Sequence, residues 1–76
     1  MLLRLPKIGM EMTEAVLALW IAPDGALVAK GDALYEMETD KVTNEVASPA
    51  AGRLRHIAAE GVTYRVGDPV AEITDD

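Results

Sequence analysis

Gly25–Met37 (GALVAKGDALYEM) and Gly61–Ile73 (GVTYRVGDPVAEI) repeat one pattern thirty-six residues apart. The coinciding residues are two glycines, two acids and two apolar positions: Gly25 with Gly61, Gly31 with Gly67, Asp32 with Asp68, Glu36 with Glu72, Leu34 with Val70, and Met37 with Ile73. Each segment places a Gly-Asp turn between short runs of strand-forming residues, which is typical of a β-hairpin. Two similar β-units predict two sheets packed face to face about a pseudo-twofold axis, because each half then covers the other's apolar face.

The repeat changes its offset just ahead of Gly25. Two residues keep the offset and two match one position further on: Ile21 with Ile57, Ala22 with Ala58, Leu17 with Leu54, and Trp20 with Ile57. One extra residue in one strand, a β-bulge, would produce this shift.

Prolines and glycines divide the chain into pieces of strand length. None of these pieces can hold a three-turn helix with its caps. The pieces are Leu2–Leu5, Ala15–Ala22, Leu34–Glu38, Val42–Ala47, Leu54–Ala59 and Val70–Thr74. We therefore expect an all-β fold, with the aromatic Trp20 in its core.

Length and charge exclude several functions. Seventy-six residues suffice for one small domain, 1–76, whose thin core leaves no room for a deep active site. Thirteen acids against seven bases give a net charge of −6, which disfavours nucleic acid and anionic membranes as partners. The chain has no cysteine, and His56 is its only histidine, so we expect neither a metal site nor a catalytic centre.

The segment Leu34–Val46 predicts a second kind of hairpin, with Asp40 and Lys41 as its two-residue loop. In this register Thr39 faces Val42, and the remaining pairs are Met37 with Asn44, Tyr35 with Val46, Glu36 with Glu45, and Glu38 with Thr43. The alternation then puts Tyr35, Met37, Val42 and Val46 on the buried face and the glutamates on the other. By the thirty-six-residue offset this turn is the counterpart of the chain termini, so we expect it at the opposite end of the domain from them.

Lys41 has two interpretations on these grounds. It is either a solubilising lysine on a surface turn or an amine presented for modification. It is not expected to act as a nucleophile, because exposure and the acids around it favour the charged ammonium form.

The stretch Glu38–Val42 (ETDKV) resembles the attachment motif of lipoyl domains, the swinging-arm carriers of 2-oxo acid dehydrogenase complexes. The resemblance extends over nearly the whole chain, from Pro6–Glu14 (PKIGMEMTE) through Ser48–Gly52 (SPAAG) to Gly67-Asp68. It implies a flattened barrel or sandwich of two four-stranded antiparallel sheets with internal pseudo-twofold symmetry, the barrel-sandwich hybrid fold. Ala15 departs from the family, whose members usually have glycine there.

The resemblance also implies a function. Lys41 is the attachment site for covalent lipoate, Asp40 and Val42 are its recognition flanks, and the domain is a non-catalytic carrier. The implied partners are a lipoate ligase or lipoyl/octanoyl transferase, a thiamin diphosphate-dependent decarboxylase, the acyltransferase core and a dihydrolipoamide dehydrogenase. We hypothesise that Glu36, Glu38 and Glu45 form an acidic surface that the modifying enzyme and the decarboxylase recognise.

Finer expectations concern the setting of the carrier. The opening segment resembles those of pyruvate- or acetoin-type complexes. The domain itself is expected to be monomeric and cytoplasmic, or in the mitochondrial matrix if the source is a eukaryote.

Three alternatives remain open from the sequence. A biotinyl domain of a carboxylase shares the fold and the modified lysine, but its relatives flank that lysine with methionines. The glycine-cleavage carrier protein is longer and carries extra helices. An unmodified β-interaction module would leave Lys41 free.

Overall fold

The computed structural model describes residues 1–40 and 42–75, and this part of the chain forms eight strands without any helix. The strands are β1 (Leu2–Arg4), β2 (Glu14–Trp20), β3 (Leu27–Val28), β4 (Ala33–Glu38), β5 (Thr43–Ala47), β6 (Gly52–His56), β7 (Thr63–Arg65) and β8 (Pro69–Thr74). Strands β1-β8-β6-β3 form one antiparallel sheet, the terminal sheet, and strands β5-β4-β2-β7 form the other, the hairpin sheet. The predicted all-β fold of two four-stranded antiparallel sheets is confirmed, as a sandwich in which the described strands close no barrel.

Four of the six predicted strands differ from the structure by one residue at one end, and β2 and β6 differ by more. β2 ends at Trp20 instead of Ala22, and β6 spans Gly52–His56 instead of Leu54–Ala59. β3 and β7 were not among the predicted pieces, because strands of two and three residues are too short to show an alternating pattern.

Backbone hydrogen bonds confirm the pseudo-twofold relation between the two halves. The amides of Ile21 and Ala22 both donate to the Leu34 carbonyl, at 2.8 and 3.1 Å. Thirty-six residues later, the amides of Ile57 and Ala58 both donate to the Val70 carbonyl, each at 3.0 Å.

The predicted bulge lies in β2. Leu17 pairs with Met37 and Leu19 with Glu36, so Ala18 is the extra residue. In β6 the equivalent pairs follow one another without a shift, Leu54 with Ile73 and Arg55 with Glu72. The predicted match of Trp20 with Ile57 is wrong, because beyond the bulge Trp20 takes the position of His56: the first pairs with Tyr35 and the second with Ala71.

The repeated Gly-Asp pairs build two similar turns, but the prediction that they close β-hairpins is wrong, because the two strands that each turn joins lie in different sheets. The Asp32 carboxylate accepts a hydrogen bond from the Ala29 amide at 2.8 Å, and Asp68 accepts one from the Arg65 amide at 2.9 Å. The glycine before each aspartate has a φ near +95°, 95° at Gly31 and 93° at Gly67, which costs little only without a Cβ. The carboxylate therefore satisfies an amide that the turn leaves unpaired.

Each half completes the sheet of the other half. β3, from the first repeat, pairs with β6 in the terminal sheet, and β7, from the second repeat, pairs with β2 in the hairpin sheet. On the axis that relates the halves, the rings of Trp20 and His56 stack with centroids 3.8 Å apart. Their ring N–H groups bond to carbonyls of the opposite half, Trp20 Nε1 to Ala58 at 3.0 Å and His56 Nε2 to Ala22 at 2.9 Å. A carbonyl only accepts, so Nε2 of His56 carries a proton.

The core lies between the sheets and is almost entirely aliphatic. Its fully buried members with the largest side chains are Leu5, Leu17, Leu34, Tyr35, Met37, Leu54 and Val70. Trp20, predicted in the core, is half-buried and packs on the edge of Tyr35, with ring centroids 5.2 Å apart. Burial raises the pKa of Tyr35 to about 12, so its phenol stays neutral at physiological pH.

Gly52 fills a position that no other residue can occupy without moving the backbone. A Cβ there would collide with the Thr74 carbonyl oxygen and lie 2.6 Å from Ile73 Cγ2, and its φ is +156°. The clash and the backbone strain together predict that Gly52→Ala lowers the free energy of unfolding by about 2–4 kcal/mol, measured by urea denaturation. Gly9→Ala is the matched control, since a Cβ at Gly9 meets nothing within 4 Å. Equal stability of the two variants would contradict the prediction.

Candidate functional site

The predicted hairpin forms with the predicted register. Its pairs are Tyr35 with Val46, Glu36 with Glu45, Met37 with Asn44, and Glu38 with Thr43. Tyr35 and Met37 are 1% and 0% exposed, so the inner side of β4 is anchored in the core. The last turn of the hairpin therefore projects from a rigid base.

Thr39 and Val42 flank the loop of the hairpin. The Thr39 amide donates to the Val42 carbonyl at 2.9 Å. The Thr39 hydroxyl adds a second link: its Oγ1 lies 3.4 Å from both the carbonyl oxygen and the amide nitrogen of Val42. Sequence reasoning missed this role of Thr39, although threonine beside a tight turn often bonds to nearby backbone.

The residues between Thr39 and Val42 are Asp40 and Lys41. Asp40 is exposed, and Lys41, the predicted attachment site, lies outside the residues that the structure describes. Val42 was predicted on the buried face but is 51% exposed, because it lies beyond the end of β4 where no core residue covers it. Both predicted recognition flanks are thus accessible to an enzyme.

The three predicted recognition acids share the outer face of the hairpin sheet. Glu38 and Glu45 are exposed and Glu36 is half-buried, and in the described part of the chain none of their carboxylates has an ion-pair or hydrogen-bond partner. Glu36 and Glu45 stand directly opposite each other across β4 and β5. Like charges in this position oppose folding, so stability does not explain the arrangement.

The chain termini lie at the other end of the domain. The Met1 ammonium donates to the Ile73 carbonyl at 2.8 Å, which holds the start of the chain beside the end of β8. Met1 and Leu2 share a surface groove with Ala47, the last residue of β5, and with Pro49 just beyond it, at the end of that strand furthest from the turn. A partner can therefore approach the turn without meeting the termini.

Among residues 1–40 and 42–75, no three histidine or acidic side chains come together as a metal site would require. The ring of His56 is occupied by its stack on Trp20 and its bond to Ala22. No helix in these ranges is long and apolar enough to cross a membrane.

Comparison with known proteins identifies the class. The family model of biotin-requiring enzymes, the biotin/lipoyl family, matches residues 2–73. The fold superposes on the lipoyl domain of the Azotobacter vinelandii 2-oxoglutarate dehydrogenase complex with a TM-score of 0.79 and 25% identity, over 97% of this chain and 95% of that one. The chain therefore belongs to the biotin/lipoyl attachment family and has the lipoyl-domain fold.

Individual relatives are acyltransferase components of two dehydrogenase complexes and of an acetoin cleaving system. A Staphylococcus saprophyticus succinyltransferase component of the 2-oxoglutarate dehydrogenase complex is 41% identical over 92% of this chain. An acetyltransferase component of a Mycoplasma capricolum pyruvate dehydrogenase complex is 41% identical over 90%, and one of a Pseudomonas putida acetoin cleaving system is 35% identical over 96%. The chain spans only 17%, 16% and 20% of these relatives, respectively.

The Thr39 hydroxyl is expected to hold the loop closed. Thr39→Val keeps the shape of the side chain but removes the bond to the Val42 amide, and a net hydrogen bond contributes about 1 kcal/mol. Hydrogen exchange at the Val42 amide, followed by NMR, should therefore speed up about fivefold. Thr39→Ser retains the hydroxyl and serves as the control. Unchanged exchange in Thr39→Val would show that the hydroxyl contributes nothing to closure.

Proposed function

We propose that this domain is a carrier whose Lys41 bears lipoate as an amide and moves acyl groups and reducing equivalents between the components of a 2-oxo acid dehydrogenase complex. The observation that carries the proposal is the stretch Glu38–Val42, which flanks its lysine with an exposed Asp40 and Val42 beyond a well-anchored hairpin. The proposal further assigns no catalytic step to the domain itself.

The described surroundings fit a covalently attached arm. Thr39 and Val42 are joined by a 2.9 Å backbone hydrogen bond, so the loop has a narrow base. Met37 and Tyr35 anchor that base in the core, while Asp40 and Val42 leave both sides of the loop open. When bound, lipoate supplies a dithiolane that takes up an acyl group together with two electrons.

The protein's contribution is to tether and to present. A covalent arm raises the effective concentration of the carried group at each partner, provided that the domain reaches each of them. The proposed partners are a lipoate ligase or lipoyl/octanoyl transferase, a thiamin diphosphate-dependent decarboxylase, an acyltransferase core and a flavoprotein dihydrolipoamide dehydrogenase. A cytoplasmic or matrix location, where such complexes work, belongs to the same proposal.

The substrate class is a 2-oxo acid or acetoin. The opening segment resembles those of pyruvate- or acetoin-type complexes, and relatives of both kinds appear. The 48% and 41% identical succinyltransferase components and the superposed lipoyl domain belong to 2-oxoglutarate dehydrogenase complexes, so 2-oxoglutarate is the first candidate and pyruvate or acetoin the second.

Attachment at Lys41 is tested by intact mass. Coexpression with a lipoate ligase should add one lipoyl group, with loss of water as the amide forms, and take the net charge from −6 to −7. Lys41→Arg should abolish the gain in mass. The control Lys30→Arg, in the turn between β3 and β4, should leave the gain intact. A gain equal to biotin, or no gain at all, would overturn the assignment.

The three glutamates are expected to speed encounter with the partners. Charge pairs at the edge of an interface act mainly on the association rate and weaken with salt. Reversing two of them, Glu38→Lys with Glu45→Lys, should lower the rate constants of lipoylation and of reductive acylation about tenfold at low salt, and less at high salt. The control reverses the same charge elsewhere, with Glu72→Lys and Asp75→Lys. Equal rates for the two double variants would refute recognition by these acids.

A further inference from the structure

The outer face of the hairpin sheet exposes apolar residues on its central strand. Leu19 of β2 is 41% exposed and stands opposite Glu36, while Val16 is half-buried and stands opposite Glu38. These two side chains lie beside the hairpin that precedes Lys41. We call Val16 and Leu19, with Glu36, Glu38 and Glu45, the β2 face.

The pseudo-twofold axis supplies an internal comparison. The positions equivalent to Val16 and Leu19 in the terminal sheet are Arg53 and Arg55, which pair with Thr74 and Glu72 as Val16 and Leu19 pair with Glu38 and Glu36. The fold therefore accepts a charged residue at both positions. Val16 and Leu19 thus form an apolar pair beside the lysine-bearing hairpin, at the two positions where the other sheet carries two positive charges.

The acids show the same asymmetry. Glu36 faces Glu45, whereas its counterpart Glu72 lies between Leu2 and Arg55. The terminal sheet thus places a positive residue opposite its glutamate, and the hairpin sheet places a second negative residue there. An apolar centre with an unneutralised acidic rim is the pattern of a surface that a basic-rimmed protein covers.

We propose that the β2 face is the docking surface for the thiamin diphosphate-dependent decarboxylase, which meets it with an apolar contact at Leu19 and basic side chains around it. This inference rests on the proposed carrier function and adds to it a contact away from the loop. Val16 and Leu19 form the desolvated centre of the contact. The three glutamates orient the partner and raise the rate of association.

The position of Leu19 selects this partner over the attaching enzyme. Leu19 pairs with Glu36, which lies four residues from Asp40 along β4, about 13 Å at the rise of a strand. An enzyme that modifies the lysine amine must close over the loop itself. A decarboxylase that receives the end of a long lipoyl arm needs a grip beside the loop, so that the arm remains free to enter its active site.

A second copy of the domain is a poorer match for the β2 face. The basic residues of the terminal sheet include Arg4 and Arg53, and their guanidinium groups donate to the carbonyls of Gly67 and Gly25 at 2.9 and 2.7 Å. These arginines brace the turns of their own chain. A head-to-tail contact of this kind would also build a ring or a filament, and neither leaves the domain free to move between partners.

The test compares Leu19→Gln with a matched control in the lipoylated domain. Leu27→Gln makes the same change at an exposed leucine, 68% exposed, on the outer side of the terminal sheet opposite Arg53. Reductive acylation is followed with the decarboxylase of the source organism's complex and its 2-oxo acid, over a range of domain concentrations. Leu19→Gln should raise KM for the domain about tenfold with kcat unchanged, because the lost contact is made equally before and during the reaction. Leu27→Gln should change neither, and Leu19→Met should restore the wild-type KM.

Several outcomes would overturn the proposal that the β2 face is this docking surface. These are equal KM values for Leu19→Gln and Leu27→Gln, a fall in kcat at unchanged KM, or a loss that appears equally in the rate of lipoylation, which would assign the surface to the attaching enzyme. A wild-type domain that sediments as a dimer while Leu19→Gln is monomeric would assign it to a second copy. Failure of the carrier function itself is separate, since the wild-type domain would then lack the lipoyl mass on Lys41 or would not be reductively acylated, and both proposals would fall together.

Discussion

The structure depends on reciprocal strand exchange between two similar halves. β3 of the first half pairs with β6 of the second half at one edge of the terminal sheet. β7 of the second half pairs with β2 of the first half at one edge of the hairpin sheet. The paired bonds of Gly25 with Leu54 and of Gly61 with Leu17, at 2.7 and 2.8 Å, bring in each short strand. Neither half can bury its apolar face alone, so the two sheets must form together. This explains how a small aliphatic core without phenylalanine supports a rigid sandwich.

Symmetry in the backbone is combined with asymmetry at the surface. The Asp32 and Asp68 turns, the Leu34 and Val70 bifurcated carbonyls and the Trp20–His56 stack all obey the pseudo-twofold relation. The outward residues of β2 and β6 do not, since Val16 and Leu19 stand where the other sheet has Arg53 and Arg55. The interior thus serves stability in both halves, while the exterior differs between the two sheets. The exterior is free to differ because outward positions of a sheet contribute little to its core.

Much of the fold was predictable from short-range signals. The Gly-Asp repeat located both turns, and the pairing of glutamates, Tyr35 and Met37 across the hairpin followed from alternation alone. The bulge at Ala18 was visible as a shift in the repeat, but its effect on Trp20 was not, because an offset in sequence does not show on which side of the extra residue the register recovers. Val42 was wrongly predicted to be buried for a related reason. Alternation predicts on which face of the sheet a side chain lies, but it cannot show how far along the strand the core covers that face. β3 and β7 escaped detection because only their long-range partners make them strands.

By itself the sequence determined the β class, the twofold repeat, the register of the hairpin and the motif around Lys41, all of which depend on residues close together in the chain. Only the tertiary structure decided which residues share an outer face. Leu19 and Glu36 are neighbours because β2 and β4 pair antiparallel after a bulge, and Arg55 is the counterpart of Leu19 because β6 lacks that bulge. The close approach of Thr74 to Gly52, which leaves no room for a Cβ, likewise depends on a distance that no local pattern encodes. The same holds for the hydrogen bond between the Val42 amide and the Thr39 hydroxyl. The motif around Lys41 is thus a local feature of the sequence, whereas the outer face of the hairpin sheet arises from long-range pairing.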